Sequence, residues 1–235
     1  MKTLLLCLLV LGTSTLITCE GQGIDPGDVG KIRAEFRLGV GGGIENHPVF
    51  QTNSGTTVNI SAGGGLAVGA KLGYRICEPF EISSEFLYQA SVLDQPVTNA
   101  SGNFHRFVVT PTAKYLLFLK KDVRRISINI GAGWGIYSAA KLDIDGSKIA
   151  GGAHNIYEYA NSSGPHGCAE FELCTKKKIS FIGGLKYYRV EYDLKKVTSD
   201  GITIPLNIIP ASALKDILTI DGSGLDLYAG ISYLF

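Results

Sequence analysis

Residues 58–76 alternate apolar with polar or small side chains at a period of two. Every second residue from Val58 to Ile76 is apolar or glycine apart from the hydroxyl of Tyr74, whereas the other parity is polar, alanine or glycine. Successive side chains of a β-strand point to opposite faces, so the pattern predicts a strand with one apolar face. Strands of soluble sandwiches average about five or six residues, and this run is far longer.

The same alternation recurs in other parts of the chain, more weakly in 168–175 and 179–192. The segments concerned are 32–44, 80–93, 107–119, 126–138, 168–175, 179–192 and 225–235. Together with 58–76 they predict eight strands. Their connections alternate in length: short ones at 77–79, 120–125 and 176–178, and long ones at 46–57, 94–104, 141–167 and 194–220.

An apolar outer face, short turns at one end and long loops at the other are typical of a membrane barrel. Beyond the N-terminus, uninterrupted apolar runs fall well short of the roughly 18 residues that a membrane helix needs. Lipid offers no partner to a free backbone N–H or C=O, so strands cross it only as a closed cylinder. We therefore expect an all-β fold over residues 32–235, an eight-stranded antiparallel transmembrane β-barrel with an up-and-down meander. Aromatic residues are expected at its two rims: Tyr74, Phe80, Tyr115, Tyr233 and Phe235 at one, Tyr88 and Phe107 at the other.

The N-terminus has the features of a secretory signal peptide. Met1-Lys2 is followed by an apolar stretch and then by small residues, which predicts an exported chain. We assign 1–21 to the signal peptide, with lipidation of Cys19 as the alternative to cleavage, and 22–31 to a periplasmic segment. With 22 Lys and Arg against 21 Asp and Glu, the chain has no strong field to attract nucleic acid. Closure of the barrel favours a monomer.

The C-terminal residues carry a recognisable pattern. In Tyr228-Ala-Gly-Ile-Ser-Tyr-Leu-Phe235, a glycine (Gly230) precedes an aromatic residue (Tyr233) that lies two positions before a terminal aromatic one. This ending resembles the closing-strand signal of bacterial outer-membrane barrels. With the leader and the eight strands, the chain is similar to the small OmpX, OmpA-barrel and OmpW group. The resemblance implies location in the outer membrane, contact with outer-membrane lipid and recognition by the barrel-assembly machinery.

Inward-facing charges predict a filled bore. Placing both termini in the periplasm puts charged residues of both signs in the lower and middle lumen, where they can pair. The predicted lumen charge network comprises Arg33, Glu35, Arg37, Lys71, Arg75, Glu81, Glu85, Lys114 and Lys186.

Glycines dominate the inward positions of the outer half. They are Gly39, Gly41, Gly43, Gly63, Gly65, Gly133 and Gly135. One interpretation is that they ease the curvature of a narrow barrel and are covered by neighbouring tyrosines. The other is a cup for a small hydrophobic ligand, which the OmpW resemblance would imply. The apolar segment 202–218 adds weight to the cup, because contiguous apolar surface marks binding sites. Alternatively, these side chains cap the barrel mouth or extend the seventh and eighth strands into a hairpin above the membrane.

Catalytic patterns are sparse in this chain. His166 and Cys168 are the one His and Ser or Cys pair found at the strand spacing sought for a nucleophile and its base, and a structural role for them is the simpler interpretation. We expect no cofactor, no metal and no enzymatic activity. The sequence thus predicts a barrel whose long loops bind an extracellular partner or protect the envelope, with a small-molecule passage and a lipid-modifying enzyme as alternatives.

Overall fold

The structure, a computed structural model, describes residues 30–51, 55–77, 79–118, 125–149, 152–175, 178–210, 215 and 217–235. The predicted signal peptide, Cys19 and most of the segment 22–31 lie outside the described residues. The strands are β1 (Ile32–Gly43), β2 (His47–Gln51), β3 (Thr57–Ile60), β4 (Gly65–Cys77), β5 (Phe80–Val92), β6 (Ser101–Phe118), β7 (Arg125–Asp145), β8 (His154–Tyr159), β9 (Ser162–Cys174), β10 (Ile179–Tyr188), β11 (Glu191–Ser199), β12 (Ile202–Ile204), β13 (Thr219–Asp221) and β14 (Gly224–Leu234).

Eight of these strands close into a barrel. Their order is β1–β4–β5–β6–β7–β9–β10–β14, and β14 pairs back onto β1. Every neighbouring pair is antiparallel. The predicted fold, an eight-stranded up-and-down barrel, is confirmed. Within the described ranges, no helix has the length and hydropathy required to cross a bilayer.

The apolar parity of each barrel strand points away from the cylinder. Leu66, Val68 and Leu72 are 72 %, 41 % and 55 % exposed, whereas Lys71 between them is buried. In a soluble protein such side chains would converge on a core, but here hydrocarbon is the outer medium. All the predicted rim aromatics are exposed on this outer face: Tyr74, Tyr88, Phe80, Phe107, Tyr115, Tyr233 and Phe235.

The prediction of one unbroken strand over 58–76 is wrong. The segment forms β3 and β4, separated at 61–64. Gly65 has φ +103°, a conformation open mainly to glycine, and here the chain turns away from the barrel wall. Val58 and Ile60 are therefore buried above the bore instead of facing lipid, because β3 pairs with β2 as a hairpin.

The long connections are built largely of strands, and this also differs from the predicted loops. At the end of the barrel away from the termini, β6 and β7 continue upward, β7 pairs with β8, and β11 pairs with β8, β12 and β13. The predicted strand 179–192 is accordingly divided into β10 and β11. We call β8, β11, β12, β13 and the upper parts of β6 and β7 the platform.

The platform has a core like that of a soluble protein. Its buried side chains pack directly above the bore, and residues of the apolar segment 202–218 pack against them. The cluster contains Ile60, Ala62, Ala67, Leu87, Phe104, Val108, Tyr137, Ala140, Leu142, Tyr159, Tyr188, Val190, Tyr192, Leu194, Val197 and Ile220, with Leu206, Ile209 and Ile217 at its edge. Ile202 and Ile208 remain exposed.

Candidate functional site: the filled bore

Charged side chains fill the lower and middle bore. The nine residues of the predicted lumen charge network are all buried: Arg33, Glu35, Arg37, Lys71, Arg75, Glu81, Glu85, Lys114 and Lys186. Each occupies the inward parity of a strand whose other parity faces lipid, so the alternation that builds the wall also aims these charges inward.

Glu170 on β9 is the centre of the network. Its Oε1 accepts hydrogen bonds from Arg37 Nη2 at 2.5 Å and Tyr228 OH at 2.8 Å. Lys71 Nζ lies 3.3 Å from the same oxygen, and Lys114 Nζ donates to Oε2. One carboxylate thus contacts three cations supplied by β1, β4 and β6, a geometry that offsets the cost of removing each charge from water.

Two ion pairs span the whole width of the bore. Lys71 on β4 and Glu170 on β9 lie four strands apart in a ring of eight, and therefore on opposite walls. Glu85 on β5 and Lys186 on β10 are likewise opposite, with a separation of 2.5 Å between Oε2 and Nζ. Direct contact between opposite walls means that the bore is closed at this level.

The lower bore holds a second set of pairs. Arg33 Nη1 donates to Glu172 Oε2 at 2.7 Å, and Asn129 Nδ2 approaches the same oxygen at 3.3 Å. Glu35 Oε2 accepts from Arg37 Nη2 at 2.5 Å and lies 2.9 Å from Lys71 Nζ. The charges therefore form one connected set instead of isolated pairs.

A layer of tyrosines around Arg106 lies above the charges. The Arg106 guanidinium is fully buried and donates to Gln89 Oε1 at 2.7 Å and to Tyr192 OH at 2.8 Å. Its carbon lies 4.8 Å from the ring centroid of Tyr188 and 5.2 Å from that of Tyr137. Cation–π contacts of this kind strengthen when they are shielded from water. Gln89 belongs to the barrel strand β5 and Tyr192 to the platform strand β11, so Arg106 joins the barrel to the platform.

The inward glycines are covered by neighbouring atoms. A Cβ built on Gly41 would lie 1.9 Å from Asp226 Oδ1, and one on Gly63 would lie 1.8 Å from the Ser223 carbonyl oxygen. A Cβ built on Gly43, Gly65, Gly133 or Gly135 would likewise lie 2.7 Å or less from its nearest neighbouring atom. At Gly39 the corresponding distance is 3.2 Å. The cavity beside Gly39 measures only about 10 Å³, the size of a single water site.

His166 and Cys168 show no catalytic arrangement. The Nε2 atom of His166 lies 2.8 Å from Thr112 Oγ1, and its Nδ1 has no hydrogen-bond partner. Cys168 and Cys174 form no disulfide with each other, consistent with the extended strand predicted across them. Within the part of the chain that the structure describes, no three His, Cys, Asp or Glu side chains form a metal-binding group.

Sequence reasoning missed several members of the bore. Glu170 and Glu172 occupy the inward parity of β9, and Asp226 and Tyr228 that of β14. The alternation alone could have identified these four. Arg106 is different, because it lies just before the segment predicted as a strand and only the upward extension of β6 places it inside.

The C-terminal signal residues lie at the seam between β14 and β1. The Phe235 N–H donates to the Ile32 carbonyl at 2.9 Å, and the rings of Tyr233 and Phe235 meet edge to face with centroids 5.0 Å apart. A Cβ on Gly230 would lie 2.3 Å from the Phe36 carbonyl oxygen, so glycine is required for this close approach of the two strands.

No protein-family model matches the chain, and no curated protein sequence matches it. Solved structures do resemble it. The outer membrane protein OprG from Pseudomonas aeruginosa aligns with a TM-score of 0.55 at 10 % identity, covering 88 % of this chain and 97 % of OprG. The outer membrane protein AlkL, solved in DMPC lipid bilayers, aligns with a TM-score of 0.50 at 11 % identity, covering 95 % of this chain and 97 % of AlkL. At such identities the likeness shows the fold, that of a small outer-membrane β-barrel.

Proposed function

We propose that this chain is a non-enzymatic and non-conducting outer-membrane barrel that presents its platform outside the cell, for surface binding or envelope integrity. The observation that carries the proposal is the contact between opposite walls by Lys71–Glu170 and Glu85–Lys186. A pore for solutes needs a continuous water-filled path, and these pairs cross it.

The platform supports the second half of the proposal. Loops that merely connect strands have few buried apolar contacts, whereas Tyr137, Tyr159 and Tyr192 are almost fully buried in its core. Burial raises the pKa of Tyr192 and of Tyr159 above the ordinary value for tyrosine, so both hydroxyls stay neutral. Ordered elements held above a membrane form a preorganised binding surface, which lowers the entropic cost of binding.

A passage for a small hydrophobic molecule has less support. It requires open volume at the inward glycines, and the structure places Asp226, Ser223 and neighbouring backbone there. A lipid-modifying enzyme would require an activated nucleophile, and the Nε2 atom of His166, the base paired with Cys168 in the sequence, contacts Thr112 Oγ1 at 2.8 Å.

Planar-bilayer conductance tests the proposal with two variants that separate the two closures of the bore. The quadruple variant Lys71→Ala, Glu170→Ala, Glu85→Ala and Lys186→Ala removes both cross-bore pairs, and Arg106→Met removes the centre of the tyrosine layer. We expect no conductance from the wild type or from either variant, since one closure remains in each, and open channels when all five changes are combined. Steady conductance of the wild type at physiological salt would contradict the proposal.

The same Arg106→Met variant tests the platform. We expect faster hydrogen–deuterium exchange in β11 and β13 and unchanged exchange in the membrane-spanning part of β1. Equal exchange rates in β11 and β13 with and without Arg106 would show that the guanidinium does not join the platform to the barrel.

A further inference from the structure

The outer wall of the barrel is not uniformly convex. A groove of about 680 Å³ runs over β4, β5, β6 and β7 on the lipid-facing side and reaches Ile32 on β1. None of its described lining residues carries a charge; they are Ile32, Leu72, Gly73, Tyr74, Ile82, Ser83, Ser84, Pro111, Thr112, Ala113, Ala132 and Gly133.

Four small outward residues form the floor of this groove. Ser84 on β5 is the register partner of Pro111 on β6, and two residues further along Ala113 on β6 is the partner of Ala132 on β7. They occupy the outward parity, where other positions of the same strands carry bulky side chains. The floor is therefore a patch of missing side-chain volume across three neighbouring strands.

Large outward side chains border the floor. The large side chains that line the groove are Leu72, Tyr74 and Ile82, which are 55 %, 45 % and 49 % exposed. Beyond the floor, Phe86 stands one outward position nearer the platform than Ser84, and Trp134 one outward position nearer than Ala132; both are 54 % exposed. The walls therefore rise from the outer surface by the length of an aromatic or branched side chain.

The backbone contributes to the depth of the groove. Pro111 has no N–H to donate, and the β6–β7 pairing omits Thr110 and Pro111 while the register on either side is unchanged. At the same place a Cβ on Gly133 would lie 2.0 Å from the Pro111 carbonyl oxygen. Because Ser84, Pro111, Ala113 and Ala132 have no long side chain, no change of rotamer on the floor can fill the depression.

We propose that this groove binds one acyl chain of an outer-membrane lipid. The wall around it is continuously apolar and lies in the transmembrane region, so hydrocarbon is the medium that meets it. An unfilled groove would forfeit dispersion contacts on the protein and on the lipid. A chain lying in the groove beside Leu72 and Ile82 and over Ala113 touches protein on several sides, whereas a chain on the smooth wall touches it on one, and it is held longer for that reason.

Trp134 is the single tryptophan of the chain and follows the lining residues Ala132 and Gly133 on β7, so its fluorescence reports on a quencher held beside that edge of the groove. The protein is folded in phosphatidylethanolamine vesicles with one dibrominated acyl chain per lipid, extracted into detergent and washed. Retained lipid is counted by native mass spectrometry, and the quenching of Trp134 is compared with a preparation from unbrominated lipid. Ala113→Leu fills the floor, and Ala229→Leu is the matched control, because Ala229 is an exposed outward alanine on β14.

We expect the wild type and Ala229→Leu to retain a brominated lipid with Trp134 quenched, and Ala113→Leu to lose both signals while keeping the gel mobility of the folded barrel. Equal retention by Ala113→Leu and Ala229→Leu, or no retention by the wild type, would overturn the proposal. A dimer mass in place of a lipid adduct would also overturn it, since a second copy would then cover the groove. Ala132→Leu repeats the test on the neighbouring strand. None of these outcomes depends on whether the bore conducts.

Discussion

Replacing Glu170 by glutamine removes the one carboxylate that contacts Arg37, Lys71 and Lys114 together. Glutamine has nearly the same size, so packing is preserved and only the charge is lost. Among the described residues, the lower and middle bore contains six cationic side chains and six carboxyl groups: Arg33, Arg37, Lys71, Arg75, Lys114 and Lys186 against Glu35, Glu81, Glu85, Glu170, Glu172 and Asp226, the register partner of Lys186. The variant therefore leaves the cations in excess at a place that water cannot reach.

Breaking a buried ion pair by removing one partner costs about 3–5 kcal/mol. We expect Glu170→Gln to fall in that range, because Lys114 keeps only the more distant Glu81, 4.0 Å away. Lys71 keeps Glu35 at 2.9 Å, closer than its 3.3 Å to Glu170, so most of the loss comes from Lys114 and Arg37. The control is Glu191→Gln, whose carboxylate lies 3.9 Å from Arg189 with both side chains well exposed. An exposed pair of this kind contributes about 0–1 kcal/mol.

Unfolding by guanidinium in detergent micelles, followed by Trp134 emission, measures both variants against the wild type. The double variant Glu170→Gln with Lys71→Met restores the original charge balance, and we expect it to recover part of the lost stability. A midpoint for Glu170→Gln indistinguishable from that of Glu191→Gln would refute the reasoning, since it would mean that water reaches the bore and solvates the unpaired cations.

Two further predictions concern the wall and the β2–β3 hairpin. Gly133→Ala places a methyl group 2.0 Å from the Pro111 carbonyl oxygen, and we expect it to lower the free energy of unfolding by about 1–3 kcal/mol. The control is Gly167→Ala, whose methyl group would meet only the Gly131 carbonyl oxygen at 3.8 Å. We expect this variant to unfold like the wild type in the same assay. Hydrogen bonds from the Asn59 side chain and backbone, each 3.0 Å long, lower the pKa of Asp94 below 3.8. The stabilisation that the Asn59–Asp94 contact contributes is therefore fully present above pH 3.8, and it is lost as the pH falls through the lowered pKa of Asp94. The Asn59 side-chain amide resonances should move over that acid range and be insensitive to pH in Asp94→Asn; unchanged resonances in the wild type would exclude the contact.

The barrel could be predicted from sequence because lipid imposes a strict rule on every strand. A residue such as Leu72 either faces hydrocarbon or it does not, and the neighbouring Lys71 takes the opposite face, so a period of two is visible without an alignment. The same rule assigns the nine charged residues of the network to the bore from the order of residues alone.

The rule ends where the membrane ends. Above the lipid, Val58 and Ile60 keep the alternation of β4 but turn inward, because an aqueous exterior reverses which face is buried. The platform strands are short, such as β12 and β13 with three residues each, and their pairing depends on partners distant in sequence. Local patterns therefore predicted long loops there, where tertiary contacts form a sheet.

The distribution of charges around the ring has a consequence for assembly. Glu170 is carried by β9, but its cations come from β1, β4 and β6, so this carboxylate meets its full set of cations only when strands from most of the ring are together. A half-inserted chain would present bare ammonium and carboxylate groups to hydrocarbon, where they are strongly disfavoured. Insertion in stages is thereby penalised, and the cylinder is expected to reach the bilayer interior as a nearly complete, self-neutralised unit.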